Sequence, residues 1–177
     1  MRCTIARFLG GRDGTVAIEF AFIAPILILL FLGTIEVCNA LMCREKVTTV
    51  AASAADLVAQ DAIITESQVS DIFTALNAIV YPYPSSGAQI IITSIKPDPN
   101  HAGQYVVDWS RAQNTTPHTA GADITVPAGV VTSGGSVILA EVSYTYTSPS
   151  SSVITGPITF TDSFYARPRQ SASVTIS

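Results

Sequence analysis

The chain has 177 residues, 48% hydrophobic and only 12% charged, against about 25% charged in an ordinary soluble domain. That length allows one domain of usual size plus an extra element. The charge deficit points to a membrane segment and a Ser/Thr-rich exported surface, and a net charge of −4 speaks against a partner with a phosphate backbone.

The first predicted element is a membrane span. Gly14 to Ile35 is a run of 22 residues in which Glu19 is the one formal charge. As a helix, at about 1.5 Å per residue, it covers roughly 33 Å, enough for a hydrocarbon core of about 30 Å. A helix apolar all round is more often a membrane span than a buried core helix. Arg2, Arg7 and Arg12 precede it, whereas Arg44 and Lys46 follow it beside Glu36 and Glu45. The small excess of basic residues before the span predicts a cytoplasmic N-terminus and residues 36–177 outside the cytoplasm. Pro25 removes one backbone hydrogen bond and predicts a mild bend, which membrane helices tolerate.

Three fates are open to this N-terminus. It can stay uncut as a signal anchor. It can be cut after Cys38-Asn39-Ala40, whose small residues suit a signal peptidase, although the apolar run is long for a removable signal. It can also be cut after Gly14, before the apolar run.

The third fate accounts for Glu19. The stretch "GTVAIEF", residues 14–20, resembles the processing motif of type IV pilin-like proteins, in which a prepilin peptidase cuts after a Gly five residues before a Glu. With the apolar run and the "REKVTTVAASAA" that follows, it resembles the TadE/TadF-type minor pseudopilins of the tight-adherence (Tad/Flp) pilus, over about residues 12–56. The resemblance implies a leader over residues 1–14 ending at Gly14, a mature N-terminus at Thr15, and an assembly role for Glu19 and Phe20. Glu19 would neutralise the α-amino group of a neighbouring subunit. A charge at the bilayer centre costs about 2.5–3.5 kcal/mol, and an opposite charge offsets that cost. The sequence departs from the pattern at Asp13, which stands before Gly14 where a basic residue is usual. The resemblance also implies a prepilin peptidase, other pilin subunits, the assembly machinery and membrane lipid as partners, in a bacterial inner membrane.

Beyond residue 35 the period remains helical. Val47, Val50, Ala51, Ala54, Leu57 and Val58 form an apolar face opposite Thr48, Thr49, Ser53 and Asp56. No Pro or Gly interrupts residues 34–60, so a single helix is expected to run from the span through a stem, 36–60. A second helix is predicted over Glu66–Val80: Thr65 and Gln68 form a capping box, Val69, Ile72, Phe73, Leu76, Ile79 and Val80 a stripe, and Pro82 and Pro84 the stop. After Pro84 the period becomes two, with strands predicted at 89–95, 104–109, 136–147, 158–166 and 171–176. "KPDPN", "TSGGS" and "TSPSSS" supply turns. The expected fold class is α+β: a long N-terminal membrane-spanning helix continuing into a domain with a second helix and an antiparallel β-sheet over 88–177.

The chemical inventory is thin. His101 and His118 lack the spacing of a zinc helix, and Asp98, Asp108 and Asp123 are scattered and expected to be solvated. No catalytic residue, metal ligand or cofactor is predicted, and Arg167-Pro168-Arg169 is too short for a nucleic-acid patch. Loss of the leader removes three Arg and one Asp, leaving a net charge of −6 and no expectation of nucleic-acid binding. Cys3 would leave with the leader. Cys38 and Cys43, five apart on one helix, are badly placed for an intrachain disulfide. Two function classes follow: a minor pilin-like assembly subunit, or an uncut, signal-anchored β-rich binding ectodomain in the cell envelope. An exported enzyme is a distant third.

Overall fold

The computed structural model describes residues 13–127, 129–131, 135–150 and 153–177. Arg2, Cys3, Arg7 and Arg12 of the predicted leader, and parts of the predicted turns at 132–136 and 147–152, lie outside them. The first element is one helix, α1 (Asp13–Ala59), which runs on through Pro25. After it come β1 (Ile63–Ile64), α2 (Glu66–Val80), a short 3-10 turn (Ser85–Gly87), β2 (Ala88–Pro97), β3 (Tyr105–Gln113), β4 (Val137–Tyr146), β5 (Ile158–Ala166) and β6 (Thr175–Ile176). The class is α+β, as the change of period predicts.

The chain divides into two compact units. One comprises α1 as far as Asn39 together with the segment Ser148–Gly156; the other comprises the rest of α1, α2 and all strands.

In the second unit, α1 buries Ala40, Cys43, Val47, Val50, Ala51, Ala54, Ala55, Val58 and Ala59. Leu57, expected on this face, is only half-buried, and Ala55 and Ala59 are buried instead. Small side chains let the helix approach closely: Cys43, Val47 and Val50 meet Val142 and Tyr144 of β4, Ala88 of β2, and Val80 and Tyr83. The opposite face is also engaged, since the Thr48 hydroxyl donates to Asp162 Oδ2 of β5 at 2.5 Å and Arg169 pairs with Asp56. Helix α2 begins as expected: Thr65 N–H donates to Gln68 Oε1 at 2.8 Å and Gln68 N–H donates to Thr65 Oγ1 at 3.2 Å, so two otherwise orphaned amides are satisfied reciprocally. Val69, Leu76 and Val80 are its buried stripe.

The main sheet is antiparallel in the order β3-β2-β4-β5. Val142, Tyr144 and Tyr146 of β4 are buried while Thr145 between them is exposed. A register shift at Ser94/Ile95 breaks the alternation of β2. Past it, Ile95 joins Val137, Leu139 and Val126 in a small core, with Ile124, Val130 and Val131 packed around it. Ile124, Val126, Val130 and Val131 thereby cover part of β2 and β4 in a way that no periodic signal announces. The predicted strand at 171–176 is corrected. Only Thr175–Ile176 is extended, and it pairs in parallel with Ile63–Ile64 in a separate two-stranded sheet. Trp109 Nε1 donates to the Val174 carbonyl at 2.8 Å, and Arg169 N–H to the Ala59 carbonyl at 2.9 Å, which holds this terminal segment across the domain.

Candidate assembly site

The residues singled out for processing and assembly lie on the first two turns of α1. Gly14, Thr15, Glu19 and Phe20 are all helical and exposed, Phe20 at 67%. Thr15 and Glu19, four apart, share one helix face, and the side chain of Phe20 is turned off it. A Cβ built on Gly14 would meet nothing within 4 Å. No packing demand among the described residues explains a glycine there, although it costs a helix roughly 0.5–1 kcal/mol relative to alanine. The apolar surface continues up the helix: Phe22, Ile26, Leu27, Leu30 and Phe31 are each at least half exposed. α1 is the one helix among the described residues long and apolar enough to cross a membrane.

At the far end of the apolar run stands a residue whose position the sequence reading passed over. Glu36 is 1% exposed. Its Oε2 accepts from the backbone N–H of Val153 at 3.0 Å and of Ile154 at 2.7 Å, and its Oε1 accepts from the Ser150 hydroxyl. One turn earlier, Gly33 makes room for this loop: a Cβ there would stand 3.1 Å from Val153 Cγ2. The signal was present, because Glu36 falls four and seven residues before the buried Ala40 and Cys43, in register with the covered stripe of α1.

Several other polar residues serve the fold. Asp98 is a turn organiser: its carboxylate accepts from the Asn100 N–H at 2.8 Å and stands 2.6 Å from His101 Nδ1. Those bonds hold its carboxyl below the ordinary range, so the expectation of a merely solvated group is corrected. Asp108 likewise pairs with Lys96 Nζ at 2.5 Å across β2 and β3. His118 Nε2 lies 2.6 Å from Glu141 Oε2. Arg167 donates to the carbonyls of Gly129 and Val130. Among the described residues no group of three His, Cys, Asp or Glu is placed to hold a metal ion. Cys43 is buried and its thiol is pushed up to about 11 by that burial, while Cys38 is exposed; both are free.

No curated protein and no solved structure matches the chain. The family model of TadE-like proteins matches residues 14–56, which begins at Gly14, takes in Glu19 and Glu36, and ends within the buried stem. Over that quarter of its length the chain is similar to TadE-like proteins.

Proposed function

We propose that this protein is a minor pilin-like subunit that helps to assemble a Tad/Flp-type pilus for surface adherence, with a structural rather than a catalytic role. On this reading residues 1–14 are a leader removed by a prepilin peptidase, 15–35 cross the inner membrane, and 36–177 are the extracytoplasmic domain. The observation that carries it is the family match starting at Gly14, on a helix whose first turns leave Glu19 exposed. Two further observations support it. Among the described residues nothing packs against Gly14. Glu19 lies within an apolar surface, where a lone carboxylate is costly unless a partner offsets it.

The mechanism follows from that cost. While a subunit waits in the bilayer, Glu19 is an uncompensated polar group. When the subunit joins others, the cationic amine of a neighbour's Thr15 meets Glu19 in a low-dielectric setting, so charge pairing favours addition of the next subunit. Glu19→Val is expected to leave membrane insertion intact or improved, by cell fractionation, and to impair pilus formation, by counting pili on cells that carry the variant as their only copy. Unchanged piliation would contradict the role given to Glu19.

A further inference from the structure

The segment Ser148–Gly156 joins β4 to β5, yet it belongs with the apolar part of α1. It carries no charged residue. Val153 is 47% exposed and packs beside Gly33, where an apolar recess is lined by Leu29, Leu30, Gly33, Val37 and Val153. Gly33 lies two residues before the end of the Gly14–Ile35 run, about 3 Å along the helix axis, and Leu29 about 9 Å. Any medium that surrounds Leu29 and Leu30 therefore also reaches Val153.

A loop can enter such a medium only if its backbone donors are satisfied within the protein. For Val153 and Ile154 Glu36 provides that, since its Oε2 accepts from both of their amides. Gly33 provides the space, because a Cβ there would crowd the Val153 side chain.

We propose that Val153 and Ile154 form a second membrane contact: these two residues enter the lipid leaflet at the Ile35 end of the span, held to the helix by Glu36. The protein then meets the bilayer through two segments, one spanning and one resting in the interface. This inference rests on the reading of Gly14–Ile35 as a membrane span, and a label in mid-span tests that reading separately.

The test is nitroxide depth measurement on the full chain in vesicles of phosphatidylcholine and phosphatidylglycerol. Single labels go at Val153→Cys, at Leu27→Cys in mid-span and at Asn100→Cys on the exposed turn, in a Cys3→Ser, Cys38→Ser background with buried Cys43 retained. The label at 153 is expected to collide several-fold more with oxygen than with a water-soluble nickel chelate, as at Leu27 and unlike Asn100. Free access of the chelate to position 153, with Leu27 in lipid, would overturn the loop contact alone. Poor access of both reagents at 153 would also overturn it, because a second protein copy would then cover the site. An aqueous Leu27 would overturn the span and the loop contact together. Adding Glu36→Ala is expected to raise chelate access at 153 several-fold; a label that stays in lipid would overturn the holding role of Glu36.

Discussion

Glu19 and Glu36 are carboxylates on one helix with opposite surroundings. Glu19 is exposed among apolar side chains, whereas Glu36 is covered and accepts hydrogen bonds from a loop. The first suits an intermolecular partner and the second already has intramolecular ones. Truncating Glu36 leaves the Val153 and Ile154 amides without their acceptor, which costs about 1–3 kcal/mol for a buried donor. Hydrogen exchange on Glu36→Ala is therefore expected to speed at these two amides; unchanged protection would contradict the bonding. The cysteines make a second contrast. At neutral pH a maleimide is expected to modify Cys38 quickly and Cys43 only after unfolding, read by peptide mass mapping; rapid modification of native Cys43 would contradict its burial. Because burial raises the folded thiol from 9.0 to about 11, Cys43 adds stability that is complete below pH 9.0 and is lost as the pH climbs through about 11.

Helix α2 depends on its ends as much as on its stripe. Thr65→Ala removes the acceptor for Gln68 N–H and is expected to lower stability by about 1 kcal/mol in urea unfolding; an unchanged midpoint would contradict the cap. Arg111 of β3 donates to both Glu66 oxygens at 3.0 Å through Nε and holds the Glu66 carboxyl below its ordinary 4.5. A carboxylate with a lowered folded pKa contributes stability above its unfolded pKa and loses it as the pH falls through the folded one. Arg111→Gln is expected to flatten the fall in unfolding midpoint below pH 4.5, and a fall as steep as the parent's would contradict the pairing. Such local elements were legible because period and capping are local properties. The Thr65–Gln68 box and the Val69–Val80 stripe could be read directly. Longer-range features could not. The shift at Ser94/Ile95 is set by how β2 fits β3, and the parallel pairing of Thr175–Ile176 with Ile63–Ile64 joins segments more than a hundred residues apart. A short apolar run predicts a strand but not its partner.

At the scale of the whole molecule, the fold class followed from three periods in succession: unbroken apolar helix, amphipathic helix, then alternation. The candidate assembly site was legible for a different reason. Gly14, Glu19 and Phe20 form a linear motif, so no folding is needed to bring them together. The Glu36 contact needs the chain to return at Ser150, Val153 and Ile154, and that return is invisible in a linear pattern. The account as a whole stands on processing after Gly14. The most direct test is the intact mass and N-terminal residue of the protein purified from its own membranes. A start at Thr15, with or without one added methyl group, is the predicted result. A start at Met1, with the leader retained, would contradict it and favour a signal-anchored binding domain.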